Sequence, residues 1–293
     1  MPALSAGARR GSPDAGLTMR RPPYLPFLSG PLSLAPGLKP IAPEAWLSPD
    51  TEAHVLEEKR ALMRARRGEV YGARDGSELA ALEAAAAVHG VAGPAVGDWP
   101  SALEGAASAV SDDLCVLIKD SDDLWRLEAA SLCAPTFWRL DEKLGEPLGG
   151  LHGPVPGANP GLVSRIHRMF DALRPGQVLE RFNWTVQPGT ERFTPSQAAF
   201  KALAGGMDEA GALDGLWLRV ERQTISKLEI SGAVVFTIRV AIDPLRAALD
   251  GPGQAEAFRA AWEGIDPVLA DYKGWPHYQR LVHAALAQAG ERR

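Results

Sequence analysis

The chain has 293 residues, 46% of them hydrophobic and 23% charged, an ordinary balance for a globular protein and enough apolar material for at least one sizeable core. A formal charge of -5 and a pI near 5.7 argue against a protein built to grip phosphate backbones. Its two cysteines exclude a disulfide framework, a four-thiolate zinc site and a cysteine-ligated iron–sulfur cluster.

No run approaches a membrane span, so the expected setting is cytoplasmic, with neither a membrane nor a nucleic acid as partner. Residues 1–20 contain arginines and small residues without the apolar centre of a secretory signal, and read as a disordered tail. Residues 21–110 read as a proline-rich arm followed by helices. Prolines recur from Arg21 to Trp46, which predicts an extended arm anchored by Tyr24, Leu25, Phe27 and Leu28. A helix follows with Ser48 as cap, Pro49 in its first turn and Gly68 as its stop. An alanine-rich second helix runs from about Ser77 to Gly90.

The texture changes at residues 111–245. "DDLCVLIKD" and "DLWRLEAASLC", separated by "SDD", have the pattern of a β-hairpin. A helical patch, "PTFWRLDEKLG", precedes "GGLHGPVPG" at residues 149–157, whose four glycines and two prolines predict neither a regular helix nor a central strand. An amphipathic helix, "GLVSRIHRMFDALRPG", aligns Leu162, Val163, Ile166, Met169, Phe170 and Leu173. Three strands complete the region. Alternation sets Phe182, Trp184 and Val186 against Arg181, Asn183 and Thr185. It also sets Leu218, Val220 and Arg222 against Arg219, Glu221 and Gln223, and Val234, Phe236, Ile238 and Val240 against Val235, Thr237 and Arg239. This order predicts an α+β fold, an antiparallel five-stranded sheet of PAS-like arrangement with its helices on one face. Residues 246–293 read as a helical extension with an aromatic cluster at Tyr272, Trp275 and Tyr278.

Candidate chemistry gathers on one polar strand face and in the glycine-rich loop. Arg219, Glu221 and Gln223 point the same way, and Arg181, Asn183 and Arg239 are candidates to join them from neighbouring strands. Such a face is either solvated and laced with ion pairs or, if covered, must pair its charges internally or with a charged ligand. Arginine suits carboxylates, the propionates of a haem included, and a glutamate there attracts a cationic amine or moves protons. His152 is a candidate metal ligand in a stiff loop, with His167 in the amphipathic helix as its competitor. Phosphate-loop, HExxH, GxSxG and dinucleotide motifs are absent from the sequence.

"LGEPLGGLHGPVPG", "LRPGQVLERFNW" and "LRVERQTISKLEISGAVVFTIR" together resemble the α-subunit-like family of haem-dependent oxidative N-demethylases, related to the dimethylamine monooxygenases, over roughly Pro22 to Leu245. The resemblance implies a PAS-like domain that binds haem b through one histidine and activates O2. It implies a monooxygenase acting on a small secondary or tertiary alkylamine, whose N-methyl group leaves as formaldehyde. It assigns His152 as axial ligand, with His167 as the alternative, and Glu221 as the catalytic acidic residue. Arg219, Arg222 and Arg239 become candidates for the propionates. Electrons then come from a separate reductase carrying flavin and an iron–sulfur cluster. Two other readings fit the same residues: a non-catalytic PAS-type haem or small-ligand sensor, and a haem-free domain binding an anion through Arg219 and Arg239.

Overall fold

The computed structural model describes residues 21–33, 37–47, 52–152 and 160–291. Seven strands form one antiparallel sheet: β1 (Lys39–Ile41), β2 (Tyr71–Ala73), β3 (Asp113–Lys119), β4 (Trp125–Ser131), β5 (Val178–Gln187), β6 (Trp217–Lys227) and β7 (Val234–Pro244). Their spatial order is β1-β5-β6-β7-β3-β4-β2. The five predicted strands are the long central ones, and two short outer strands make the sheet seven-stranded rather than five-stranded. Those outer strands, "KPI" and "YGA", are three residues each, too short to show alternation in sequence. The predicted hairpin joins β3 to β4. Asp120 Oδ1 ties its turn by accepting the N–H groups of Asp122 and Leu124, both at 2.9 Å, and Asp123 takes the left-handed conformation at φ 67°.

Helices α1 (Ala53–Ala65), α2 (Arg67–Val70), α3 (Glu78–Ala92) and α4 (Ala102–Ala107) precede β3. Between β4 and β5 lie α5 (Leu140–Lys143), α6 (Leu148–His152) and α7 (Pro160–Ala172). Between β5 and β6 come α8 (Ala198–Gly206) and α9 (Ala212–Gly215), and after β7 come α10 (Leu245–Leu249), α11 (Gln254–Glu263), α12 (Pro267–Tyr272) and α13 (Gln279–Gly290). Among the described residues no helix is long and apolar enough to cross a membrane.

Helices cover both faces of the sheet, not one. On the first face, Leu114, Val116, Ala129 and Val235 meet α3 and α4, while Trp184, Val186, Leu218 and Val220 meet α11 and α13. On the second, Leu117, Trp125, Ile225 and Val234 meet Leu148 of α6 and Ile166 and Phe170 of α7. The reason lies in the central strands, which carry large apolar side chains at successive positions and so need cover on each side. The arm is held chiefly by Phe27, in a short 3-10 turn (Pro26–Ser29), which sets its ring edge-on to Trp184 and Phe258. Leu28, expected to anchor it too, is 52% exposed.

Two local expectations change. Leu148–His152 forms a short helix despite its glycines, because Leu148 is buried against the second face and Lys143 Nζ donates to the Gly150 carbonyl at 2.9 Å. Residues 153–159 of the same stretch lie outside the described residues, as do Ser48 and Pro49, and the first helix begins at Ala53. The patch at 135–145 contributes only the single turn of α5.

Asp113, at the start of β3, is fully buried and accepts the backbone N–H groups of Cys133 (2.7 Å) and Ala134 (2.8 Å). Burial pushes its carboxyl up to about 6, against the pull of Lys59 and those two bonds. The folded state therefore keeps a proton that the unfolded chain has already released. This contribution is fully present below the ordinary carboxyl pKa of ~3.9 and is lost as pH rises through the folded value. In urea titrations the wild type is expected to lose about 2 kcal/mol relative to Asp113→Asn between pH 4 and 7. Parallel pH profiles for the two proteins would show an unshifted carboxyl.

Candidate active site on the second sheet face

Register, which alternation within one strand cannot supply, decides which polar residues meet. Across β5 and β6, Arg181 stands opposite Gln223, Asn183 opposite Glu221, and Thr185 opposite Arg219. Across β6 and β7, Gln223, Glu221 and Arg219 stand opposite Ile238, Val240 and Ile242. The second face thus carries a polar strip beside an apolar one.

Glu221 sits at the centre of the strip and is 7% exposed. Its Oε1 accepts the Thr136 hydroxyl, and its Oε2 accepts Gln223 Nε2 at 2.7 Å and Asn183 Nδ2 at 3.1 Å. Burial alone would raise its pKa. The Arg219 charge, the Thr136 and Asn183 bonds and the Lys273 charge outweigh burial and hold it below the usual carboxylate range. Glu221 is therefore a buried anion at neutral pH.

Arg219 supports it from within. The guanidinium is 0% exposed; Nε donates to Thr136 Oγ1 at 2.8 Å, and Nη1 to Gln187 Oε1 at 3.3 Å and the Glu191 carbonyl at 3.4 Å. Nη2 donates to the carbonyls of Ala134 (2.8 Å), Arg192 (3.2 Å) and Pro135 (3.3 Å). Burial brings its pKa down to about 10, which leaves it charged. Thr136 links the two by accepting from Arg219 and donating to Glu221. It is presented by a loop in which the next residue, Phe137, has φ 64°, a left-handed conformation costing an aromatic residue about 1–2 kcal/mol. That loop is pinned by the Phe137 N–H bond to the Thr194 carbonyl at 2.8 Å.

The closing segment reaches the same place. The turn between α12 and α13 wraps the edge of β5, where Trp275 Nε1 donates to Thr185 Oγ1 at 3.0 Å. Lys273 Nζ donates to Asn183 Oδ1 at 2.7 Å and to the Trp184 carbonyl at 3.3 Å. Burial brings the Lys273 pKa down to about 8, with Glu221 supporting its charge and Arg181 opposing it. Tyr272 is 42% exposed, and burial together with the Glu221 charge raises its phenol. Trp275 and Tyr278, in contrast, are core residues. Thr136 and Lys273 escaped the sequence reading because each stands alone in its local pattern; only tertiary structure brings them to β5 and β6.

The other predicted residues are distributed as follows. Arg222 and Arg239 lie opposite each other on the first face, away from Glu221. Arg222 is held by Glu180 (2.6 Å) and by the carbonyls of Trp46 (3.0 Å) and Ala45 (2.5 Å). Arg239 is paired with buried Asp112. The expectation that Arg239 joins the polar strip is thus corrected by the register. His152 is the last residue of α6. His167 lies on α7 near Asp171, whose carboxylate accepts Trp125 Nε1 at 2.9 Å and pairs with Lys119 at 3.0 Å.

Does this face suit a haem, a flat apolar macrocycle with carboxylate tails? Half-buried Phe236 and Ile242 flank Ile238 and Val240 to give an apolar strip, with cationic side chains beside it. Helices α6 and α7, which carry the two candidate histidines, border the same face. Among the described residues no three His, Cys, Asp or Glu side chains cluster as a metal site, but iron in a macrocycle needs only an axial ligand from the protein. Both cysteines are buried, which raises the Cys115 thiol and pushes Cys133 up to about 12. The composition of the face fits the group.

A family model described as haem-dependent oxidative N-demethylase, alpha subunit-like, matches residues 94–283. The match starts later than the resemblance read from sequence and takes in the closing segment with Lys273, which that reading had left outside. Because it spans well over half of the chain, with all five long strands and Glu221 inside it, this protein belongs to the haem-dependent oxidative N-demethylase, alpha subunit-like family.

Proposed function

We propose that the protein is a monooxygenase that removes a methyl group from a small amine, with haem b bound against the second sheet face. The observation that carries this reading is an ionised, buried Glu221 set beside an apolar strip in a chain of this family. The five long strands then constitute the PAS-like core. His152 would hold the haem iron, with His167 the alternative. When bound, the haem supplies dioxygen binding and the oxidising power.

The chain's own residues supply the rest. Glu221, held as an anion, receives the substrate ammonium as an ion pair at a carboxylate oxygen, which fixes the N-methyl group. Its lowered pKa keeps it charged and suits it to anchoring a cation rather than to proton transfer. Arg219 and Thr136 are positioning residues that fix its rotamer. The N-methyl carbon is hydroxylated to a carbinolamine, whose C–N bond then breaks to give formaldehyde and the shorter amine. The balance is one amine, one O2, two electrons and two protons giving the shorter amine, formaldehyde and water. A separate reductase carrying flavin and an iron–sulfur cluster supplies the electrons.

Expression with added haem tests the reading. A Soret band with stoichiometric iron is expected, retained in His167→Ala and lost in His152→Ala; the reverse pattern moves the ligand to α7. With NADH, a flavin/iron–sulfur reductase and methylamines, formaldehyde should form. Glu221→Gln should keep its haem and slow turnover by about 100-fold or more. A protein that takes up no haem, or yields no formaldehyde from any methylamine, overturns the proposal.

A further inference from the structure

A pocket of about 120 Å³ lies against the loop that carries Thr136. Leu132, Pro135, Trp138, Leu140, Phe193 and Pro195 make its apolar wall. The charged groups that complete the lining are exposed and already paired. Arg139 Nε and Nη2 donate to Asp141 at 3.0 and 2.6 Å, and Glu69 accepts Arg66 Nε and Nη2 at 2.7 and 2.6 Å. The pocket therefore offers an entering molecule apolar surface and paired charge. A cavity of similar size lined by Leu, Ile and Phe stays dry and takes up small apolar guests such as xenon.

Trp138 stands between this pocket and the second sheet face. Half-buried, it packs on the cluster that holds Leu132 and Leu140 and also on the cluster that holds Ile238 and Val240. Phe236 packs on the same two clusters. The preceding residue, Phe137, is left-handed at φ 64° and bonded through its N–H to the Thr194 carbonyl, which fixes how the chain enters Trp138. Neither cluster contains a charged side chain. Pocket and apolar strip thus form one apolar stretch, interrupted by a single indole. A cation pays its full desolvation on such a path, whereas an uncharged diatomic pays almost none.

We propose that this pocket admits dioxygen to the second sheet face, with Trp138 as the inner wall that it passes. The inference deepens the proposed N-demethylation, because it assigns the way in for the O2 of that reaction. Passage needs only a rotamer movement of one ring, without rearrangement of the sheet.

O2 is paramagnetic and speeds the relaxation of methyl groups beside it, so it can serve as its own probe. The full chain, before haem loading and with isotope-labelled Ile and Leu methyls, is measured under O2 pressure. Relaxation at Leu132 and Leu140 is expected to gain at least about twofold more than at Leu281, which is as deeply enclosed in the core around α13. In Trp138→Ala, which opens space beside the strip, the gain at Ile238 should rise by about twofold or more. Gly68→Phe supplies a second variant: Gly68 lines the pocket, and a Cβ there would meet no atom within 4 Å. Filling the pocket in this way should lower the gains at Leu132 and Ile238 together, by about half. Once haem is loaded, O2 association after flash photolysis should quicken in Trp138→Ala and slow in Gly68→Phe by similar factors.

Gains at Leu132 and Leu140 no larger than at Leu281, or a gain at Ile238 unchanged in a folded Trp138→Ala protein, overturn the assignment. So does a fall at Leu132 without one at Ile238 in Gly68→Phe, since O2 then reaches the strip by another way. Failure of the two proposals is separable. The expected methyl pattern in a chain that takes up no haem would sink the N-demethylase reading alone, and a haem protein that forms formaldehyde without the pattern would sink this one alone.

Discussion

Replacing Arg219 with methionine is expected to destabilise the protein by about 3–5 kcal/mol in urea unfolding. The side chain is 0% exposed and serves Thr136, Gln187 and the carbonyls of Ala134, Pro135, Glu191 and Arg192. Methionine fills much of the volume but donates nothing, so buried acceptors lose their partner. Glu221 also loses the strongest counter-charge acting against its burial. Domains of this kind have a margin of only about 5–15 kcal/mol, so the loss is a large share of it. Arg219→Lys should recover only part, because a single ammonium cannot reproduce a fork whose nitrogens point in fixed directions. A loss under about 1 kcal/mol for Arg219→Met would mean that these bonds add little to the fold.

Truncating Trp184 to alanine is expected to cost a further large amount, about 3–5 kcal/mol, for a different reason. Its ring is 1% exposed, with centroids of Trp275, Phe258, Phe27 and Trp262 at 4.9, 5.5, 6.2 and 6.4 Å. These neighbours come from the N-terminal arm, from α11 and from the turn after α12, so one side chain joins three remote segments to β5. The neighbours are themselves packed; Trp262 and Trp275 stack at 3.9 Å with planes 4° apart. They cannot readily collapse into the space left behind. A double-mutant cycle of Trp184→Ala with Trp275→Ala, read by urea unfolding, should show non-additivity above about 0.5 kcal/mol. Strict additivity would indicate that the two rings contribute independently.

The polar strip was legible because strand alternation has a period of two, so Arg219, Glu221 and Gln223 had to share a side, as did Arg181 and Asn183. What alternation leaves undetermined is the pairing between strands. Arg239 looked equivalent to Arg181 until the register set it opposite Arg222, on the other face and bound to Asp112. Glycine content misled at residues 148–152, where burial of Leu148 overrode local propensity. Strands β1 and β2 have too few residues to show any period. Lys273 had no signal in its neighbourhood, since what defines it is an amide oxygen on a strand ninety residues earlier in the chain.

The turn that delivers Lys273 has a second consequence, for the behaviour of the sheet in a crowded solution. A long edge strand is a template on which another chain can add. In the sheet order β1 and β2 are outermost, each only three residues long, and β1 pairs with just Val178–Glu180 of β5. Beyond that point the outer side of β5 meets the closing segment, through the Lys273 bond to the Trp184 carbonyl and the Trp275 bond to Thr185. A chain cut short before α12 would present this part of β5 uncovered, so the segment that completes the site also guards the molecule against strand-to-strand aggregation.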